Sequence, residues 1–329
     1  MAAWPESPGV ETADLREMST GSLDPLLEVE IRVWREELAW DFTASARLVK
    51  GFVDTQSLNG VALLAGSRVI GYTYVVLEDD RGLIGDLFVM PEFATQQNED
   101  KLLHATVDAL MRTAGVRRVE TQVILMQHPR HAPPPFAQHL RMFERCFMTR
   151  DLLSADDLWI RRTSDDLNFE NWRDQTQDNA ASLLASAYNG HIDSQINDQY
   201  RSVAGARRFL NNIVRYPGCG AFLPQASWLA WSRHTGKLCA MSLASMVAFD
   251  AGHVTQICVS PKERRHGYGT QVLLKSLRSL VSAECRQASL TVTASNRGAI
   301  ALYERLGFVT RRRFAAMVWE GFRPARRFF

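Results

Sequence analysis

The chain has 329 residues, of which 46% are hydrophobic and 22% are charged, and its net charge is +2. This composition is typical of a folded globular protein large enough for two hydrophobic cores, and it excludes an intrinsically disordered chain. The net charge argues neither for nor against nucleic acid. The short basic runs 311–313 and 323–327 are typical of a solvated strand edge and tail, so we expect no nucleic-acid partner.

The cysteines and the N-terminal residues indicate the cellular compartment of the protein. The chain has five cysteines and no Cys-x-x-Cys pair, which is typical of reduced thiols and gives no sign of a metal site. The N-terminal residues lack the basic region and apolar run of a signal peptide, and no apolar stretch reaches the length of a membrane span. We therefore expect a cytoplasmic protein that binds no metal and no membrane.

Hydrophobic periodicity predicts the elements of the first half. Apolar residues at helical spacing predict helices, and short apolar or alternating runs predict strands. The predicted helices are 26–39, 42–52 and 100–113, and the predicted strands are 61–65, 68–77, 83–90 and 118–126. Polar residues cluster at 162–172, so we place a boundary there and expect domains 1–165 and 166–329.

The same patterns predict the elements of the second half. The predicted helices are 178–188, 203–214, 271–283 and 298–306, and the predicted strands are 228–231, 238–249, 253–259, 288–293 and 314–319. Short turns join the first strands, whereas helices separate the later ones. The predicted fold class is therefore α/β (α+β), with a mixed, mostly antiparallel sheet flanked by helices in each domain.

Two segments of the first half resemble segments of the second half. Residues 87–91 (LFVMP) match residues 257–261 (ICVSP), and residues 142–150 match residues 302–311 with a one-residue gap. Both matches fall at corresponding places in the order of predicted elements. We interpret them as a tandem duplication.

A basic, glycine-containing loop follows the strand that ends at Pro261. It reads RRHGYG at 264–269, and an apolar helical pattern begins directly after it. In such a turn the backbone N–H groups and the helix N-terminus face a phosphate, and Gly267 and Gly269 allow close approach of the ligand. The loop predicts phosphate binding, with a plain strand-to-helix connection as the alternative.

Two motifs together resemble a known superfamily. The first is R-x-x-G-x-G at 264–269, and the second begins at Asn296 and continues through ALYERLGF at 301–308. They resemble the acyl-CoA loop and the following N-x-x-A-x-x-L-Y-x-x-x-G-F motif of the GCN5-related N-acetyltransferase (GNAT) superfamily. With the duplication, the resemblance implies two tandem GNAT-like domains. It also implies an acyl-CoA-dependent N-acyltransferase that transfers acetyl from acetyl-CoA to a primary amine.

The resemblance assigns a set of residues to acyl-CoA binding. Backbone N–H groups of the loop would bind the pyrophosphate, and strand residues Cys258 and Val259 would pair with the pantetheine arm. For Arg264 a plain surface arginine is the alternative, and for Asn296 the alternative is a helix cap. The assigned residues are Cys258, Val259, Arg264, Arg265, His266, Gly267, Tyr268, Gly269, Thr270 and Asn296.

The resemblance also assigns catalytic roles. Tyr303 matches the general acid of the family, whose phenol protonates the leaving thiolate, with an aromatic packed under the helix as the alternative. In the histone-acetylating branch the base is a glutamate eleven residues before the first loop residue. Counting back from Arg264 gives His253, which titrates in the right range for a base, with a structural histidine as the alternative.

A polar stretch at 191–200 lies between the first two predicted helices of the second half. In the family this connection covers the acceptor site. The resemblance therefore implies substrate contact for His191, Asp193 and Tyr200. A solvated loop has the same composition and is the alternative.

The first copy differs from the second where the ligand would bind. Counting from the two prolines, Ala94, Gln97 and Glu99 stand where the second copy has Arg264, Gly267 and Gly269, and the second repeat match places Phe143 opposite Tyr303. A glutamate in the loop repels a pyrophosphate. We expect this copy to have lost acyl-CoA binding and to serve as a scaffold.

Alternative functions remain open at this point. A non-catalytic acyl-CoA-binding sensor would use the same loop, although Tyr303 is not needed for binding alone. The size and duplication of the chain also resemble mycothiol synthase, a tandem member of the superfamily. A modifier that binds nucleic acid would require a basic face that the composition does not show.

Overall fold

The computed structural model describes residues 9–126, 134–154, 158, 165–216 and 218–323, and they form two compact units. The first unit takes the described residues of Met1–Leu38, Phe42–Phe143 and Phe314–Phe329, and the second takes those of Ala39–Asp41 and Glu144–Arg313. The units differ in their bounds from the sequence domains 1–165 and 166–329, which describe the two copies and stay a prediction.

The first unit is a sheet with helices. Its strands are β1 (Val10–Asp14), β2 (Gly60–Ala65), β3 (Arg68–Glu78), β4 (Arg81–Val89), β5 (Arg118–Gln122) and the last part of β13 (Val309–Glu320). Its helices are α1 (Thr20–Leu38), α2 (Thr43–Asp54) and α3 (Gln96–Arg112).

The strand order of this unit is β1-β2-β3-β4-β5-β13, and the pairs are antiparallel except for the parallel pair β4–β5. Helix α3 packs the side chains of Leu102, Leu103 and Val107 against the sheet residues Leu63 and Trp319, all fully buried. Leu103, Val107 and Leu110 are spaced by four and three residues, which places them with Leu102 on one apolar face of α3.

The second unit has the same plan. Its strands are β6 (Leu140–Asp151, from residue 144), β7 (Leu167–Asn171), β8 (Ala221–Phe222), β9 (Trp228–Ser232), β10 (Leu238–Ala248), β11 (Ala251–Val259), β12 (Gln287–Thr293) and the first part of β13. Its helices are α4 (Gln177–Tyr188), α5 (Asp193–Ile196), α6 (Val203–Arg215), α7 (Tyr268–Ser282) and α8 (Arg297–Arg305).

The strand order of this unit is β6-β12-β11-β10-β9-β7, with β8 beside β10, and β11–β12 is its parallel pair. One buried cluster joins α7 and α8 to the sheet, for example Leu277, Leu290 and Leu306. A second cluster joins α4 and α6 to β10 and β11, for example Leu184 and Leu210. The helices of this unit therefore pack on its sheet through two separate hydrophobic cores.

Strands β6 and β13 complete sheets that lie far from them in the sequence. Residues 145–151 of β6 pair antiparallel with 287–293 of β12 in the second unit. Residues 316–320 of β13 pair antiparallel with 118–122 of β5 in the first unit. Each unit therefore contains a strand from the other half of the sequence.

The predicted fold class is confirmed, and the helices and strands predicted for the second half are present with ends shifted by a few residues. The second repeat match is wrong as a structural correspondence. Residues 142–150 lie within strand β6, whereas 302–305 belong to helix α8, so Phe143 does not stand where Tyr303 does. No helix among the described residues is long and apolar enough to cross a membrane.

Candidate active site

A gap opens between the two parallel strands of the second unit. Strands β11 and β12 pair only over 251–254 and 287–290. A bulge at Thr255 then shifts the register of β11 against β10, since Leu243 pairs with Gln256 and Ala244 with Val254. Beyond it β11 stays paired with β10, and β12 stays paired with β6. The backbone edges of 256–259 and 291–293 thus diverge, as a slot for an extended ligand requires.

A turn with two left-handed residues joins β11 to α7. Arg265 has φ of 69° and Gly267 has φ of 79°. The first helical hydrogen bond runs from Gln271 N to Gly267 O at 3.1 Å, so the preceding N–H groups have no acceptor within the helix. A Cβ on Gly269 would lie 3.2 Å from Val259 Cγ2, so glycine keeps this approach open. The turn, with His266, Tyr268 and Thr270, has the geometry of an anion site.

Arg264 is tied to the end of helix α4. Its Nη2 donates to Ala187 O at 2.7 Å. A cation at a helix C-terminus is favoured by the helix dipole. Arg264 therefore holds α4 next to the turn, and its predicted contact with the pyrophosphate stays a prediction.

Asn296 caps helix α8 and also reaches the 191–200 stretch. Its Oδ1 accepts from Ala299 N at 3.3 Å, as the capping alternative required. Its Nδ2 lies 3.3 Å from His191 Nε2. The cap bond orients the amide, so Asn296 links the second motif to the 191–200 stretch.

Tyr303 on α8 is buried, with 5% of its surface exposed, and its ring packs edge-on to Phe308 at 6.1 Å. Burial raises the pKa of its phenol, the Asp193 charge raises it further, and Arg145 opposes this rise. The phenol is therefore a protonated group at neutral pH, as a proton donor must be.

Two further tyrosines and a glutamine line the bulged strand. Gln256 Nε2 donates to Tyr188 OH at 2.9 Å, and Tyr200 OH donates to Gln256 Oε1 at 3.3 Å. The rings of Tyr188 and Tyr200 lie 4.5 Å apart, and Tyr188 OH donates to Ile257 O at 3.4 Å. Of these residues only Tyr200 was predicted. Gln256 follows the bulge residue, a position that sequence periodicity does not reveal.

His191 and Asp193 meet at the same place. Asp193 N donates to His191 Nδ1 at 3.2 Å, and Asp193 Oδ2 lies 3.9 Å from that nitrogen. His191 also packs edge-on to Tyr188 at 5.1 Å. Thr293 Oγ1, at the diverging end of β12, donates to Asp193 Oδ1. The structure therefore brings His191, Asp193 and Tyr200 together with Asn296.

Arg145 belongs to this cluster and was not predicted. Its Nη1 lies 3.5 Å from Asp193 Oδ1 and donates to Thr293 Oγ1 at 3.1 Å. It is on β6, in the segment 142–150 that was matched to the second half and assigned to no site. Only the pairing of β6 with β12 reveals it.

His253 does not lie with the other candidates. It is at the opposite end of β11, 5% exposed, and its Nδ1 lies 2.9 Å from Ser289 Oγ. The ring is covered by Trp40 at 5.0 Å and Phe147 at 6.4 Å. Burial lowers the pKa of His253 to about 4. This enclosure favours the structural alternative, and the assignment of His253 as the base stays a prediction.

Cys258 is 7% exposed on β11, and burial raises the pKa of its thiol. A thiol of this kind is a poor nucleophile because the thiolate is the reactive form. Its backbone and that of Val259 lie at the diverging edge of β11, where the pantetheine arm was expected.

The corresponding loop of the first unit is built differently. Helix α3 begins at Gln96, and Thr95 Oγ1 accepts from Asn98 N at 3.2 Å as its cap. No residue of 90–99, all of them described, has a positive φ. Glu99 is buried in the first turn. This loop lacks the left-handed turn of the second unit, and its first-turn N–H groups are partly satisfied by the protein.

Comparison with known proteins adds family information. A sequence profile of the acetyltransferase (GNAT) family matches residues 196–308. N-alpha-acetyltransferase 30 of Homo sapiens is 35% identical over 65 residues, which are 20% of this chain and 18% of that protein. N-alpha-acetyltransferase MAK3 of Arabidopsis thaliana is 28% identical over 93 residues, 27% of this chain and 48% of that protein. The chain thus spans less than half the length of these relatives.

Solved structures resemble the chain over nearly its full length. A tandem GNAT protein from the clavulanic acid biosynthesis pathway aligns with a TM-score of 0.64 and 16% identity, covering 95% of this chain and 98% of that one. A GCN5-related N-acetyltransferase from Sphaerobacter thermophilus aligns with a TM-score of 0.66 and 13% identity, covering 99% of each chain. At these identities the likeness concerns the fold. Residues 196–308 of the chain therefore match the acetyltransferase (GNAT) family, within a fold similar to that of tandem GNAT proteins.

Proposed function

We propose that this protein is an N-acetyltransferase that transfers acetyl from acetyl-CoA to a primary amine in its second unit. The observation that carries the proposal is the gap between β11 and β12 beside the left-handed turn at Arg265 and Gly267. The gap offers strand edges to an extended pantetheine arm, and the turn offers N–H groups to a pyrophosphate. The GNAT profile covers both features.

The proposed reaction is a direct transfer. The amine nitrogen attacks the thioester carbonyl carbon, the C–N bond forms, and the C–S bond breaks. Tyr303 donates its phenolic proton to the leaving thiolate, for which its raised pKa keeps it protonated. A backbone N–H at Cys258 or Val259 stabilises the developing oxyanion. No covalent intermediate on Cys258 is needed, and its raised thiol pKa supports this.

The amine must lose a proton, and we assign this step to His191 in place of His253. His191 retains 24% exposure of its side chain, and its Nδ1 accepts a hydrogen bond from Asp193 N at 3.2 Å. It is linked through Asn296 to the helix that carries Tyr303. The base and the acid would thus act from one cluster.

The first unit has no role in acyl-CoA binding in this proposal. Its loop is capped by Thr95, and Glu99 lies in the first helical turn. We therefore propose one acetyl-CoA per chain. The relatives named N-alpha-acetyltransferases make an α-amine the first acceptor class to test.

The sensor and the mycothiol-synthase-like enzyme are the alternatives. Release of CoA thiol from acetyl-CoA is measured with a panel of peptides with free N-termini, amino acids, polyamines and cysteinyl amino sugars. We expect amine-dependent release. Tight binding of acetyl-CoA without release for any amine would favour the sensor, and release with cysteinyl amino sugars alone would favour the mycothiol-synthase-like enzyme.

A further inference from the structure

Arg145 brings a cation from the first half of the sequence into the candidate site. It lies on β6 at the position that pairs with Thr293, the last residue of β12. Its side chain is 11% exposed. The part of β12 that it meets has already separated from β11. Arg145 therefore sits where the slot opens, although 48 residues separate it from Asp193 in the sequence.

The contacts of Arg145 join two elements. Its Nη2 donates to Thr291 Oγ1 and its Nη1 to Thr293 Oγ1, both at 3.1 Å. The same Nη1 lies 3.5 Å from Asp193 Oδ1 at the start of α5. A planar guanidinium suits this fork, because its N–H groups have fixed directions. The side chain thus connects the 191–200 stretch to the end of β12 that has separated from β11.

Asp193 connects Arg145 to His191. Its backbone N–H donates to His191 Nδ1 at 3.2 Å, and its carboxylate Oδ2 lies 3.9 Å from the same nitrogen. Any movement of Asp193 therefore moves a hydrogen-bond partner of His191. The charge of Arg145 also acts on the surrounding phenols, since it opposes the rise in pKa that burial, and then Asp193, cause in Tyr303 and Tyr200.

We propose that Arg145 is a positioning residue that holds Asp193, and through it His191, at the acceptor side of the site. This inference rests on the proposed transfer reaction. It differs from a structural role for Arg145 because it requires that the loss of the cation change the proton step, and not only the stability of the fold.

The test compares three variants of the full chain. Arg145→Met removes the charge and the fork, and Arg145→Lys keeps the charge. Arg313→Met is the matched control, because Arg313 makes an exposed ion pair with Glu144 of the same strand β6 at 2.6 Å. The readouts are kcat and KM for the amine, the pH profile of kcat/KM, and the dissociation constant of acetyl-CoA.

For Arg145→Met we expect kcat/KM for the amine to fall by about ten- to a hundredfold, because a misplaced catalytic group lowers the rate by about that factor. Acetyl-CoA affinity should change less than about twofold, since Arg145 lies on the acceptor side. The acidic limb of the profile should move, because the loss of Arg145 removes the cation beside Asp193, which contacts His191 together with Tyr188 and Asn296.

Arg145→Lys should restore the position of the acidic limb and part of the rate, and Arg313→Met should match the unaltered protein. An Arg145→Met protein with full kcat/KM and an unshifted profile overturns the proposal. So does a protein that loses acetyl-CoA affinity and thermal stability with no shift, since Arg145 would then be structural. If the unaltered protein transfers acetyl to no amine, the proposed function itself is wrong. That result is distinct from failure of the Arg145 proposal, which is judged by comparing variants with an active unaltered protein.

Discussion

Burial has opposite consequences for the two residues first assigned to proton transfer. A buried phenol keeps its proton, so Tyr303, whose pKa is raised mainly by burial, is suited to donate one. A buried imidazole stays neutral but must still reach the amine, and Trp40 and Phe147 cover His253. The same physical effect supports the first assignment and weighs against the second.

Tyr303→Phe tests the acid. The substitution removes one oxygen and keeps the ring that packs against Phe308. We expect kcat to fall by about ten- to a thousandfold while the dissociation constant of acetyl-CoA stays nearly unchanged. Steady-state kinetics and calorimetry measure the two quantities. A variant that keeps its rate and loses affinity would make Tyr303 a packing residue.

His253 should report on stability instead of catalysis. The native imidazole has a pKa of about 4, whereas the unfolded group has its ordinary value near 6.5. As pH falls through that interval, the unfolded state binds a proton that the native state does not, so stability is lost from about pH 6.5 down to about pH 4. The expected loss from this group is roughly 3 kcal/mol.

Urea unfolding at about pH 7 and about pH 4 compares the protein with His253→Gln, which keeps a hydrogen-bonding side chain near Ser289. The variant should lose less stability between the two pH values, by roughly the amount above. Its kcat/KM profile should keep the acidic limb. Equal pH dependence of unfolding in both proteins, or loss of the limb, contradicts this account.

Part of the candidate site was predicted from the sequence. Gly267 and Gly269 at the turn and Asn296 before α8 were predicted because local backbone geometry demands those residue types, whereas Arg264 and Tyr303 were assigned by the resemblance to the GNAT superfamily. Arg145 and Gln256 were not readable, since their roles arise from strand pairing and a bulge. Such partners are set by tertiary contacts and leave no local pattern.

At the scale of elements, the site depends on where two strands stop pairing and where a helix starts. The bulge at Thr255 ends the ladder with β12, and the left-handed Gly267 delays the start of α7 to Tyr268. In the first unit the register shift next to Gly85 occurs at the same place, but α3 starts at Gln96 after a capping threonine. The two units therefore differ more in where the helix after the loop begins than in the geometry of their sheets.

Gly267→Ala and Gly236→Ala separate backbone strain from ligand binding. Both glycines have positive φ, 79° and 65°, and a Cβ on either meets nothing within 4 Å. Each variant should lose about 1–2 kcal/mol of stability, the cost of a left-handed alanine. Only Gly267→Ala should also weaken acetyl-CoA binding, by about tenfold. Gly236 lies in the turn between β9 and β10 and not in the proposed binding turn. Equal affinities in the two variants would remove the turn from the binding site.

Over the whole molecule, the exchange of strands makes each unit depend on the other half of the sequence. The second unit needs residues 145–151 to pair with β12, and the first needs 316–320 to pair with β5. The sequence predicted a simple succession of two domains because its repeat suggests one. Which strands pair over such distances follows from the folded sheet and not from periodicity.

Fragments test this dependence. A fragment of residues 166–329 lacks β6 and leaves the edge of β12 open, so we expect aggregation and no acetyl-CoA binding. A fragment of 137–329 contains β6, so it should be more soluble and bind acetyl-CoA more tightly. Sedimentation and calorimetry measure both properties. A stable, binding fragment of 166–329 would show that β6 is dispensable.

The most direct test of the account is the calorimetric stoichiometry of acetyl-CoA binding to three proteins. Gly267→Glu places a charge and a side chain in the turn of the second unit, and Gln97→Glu makes the matched change in the first turn of α3, where Gln97 is exposed. The account predicts one site per chain, lost or strongly weakened in Gly267→Glu and unchanged in Gln97→Glu. Two equivalent sites, or a single site that survives Gly267→Glu and disappears in Gln97→Glu, would contradict it.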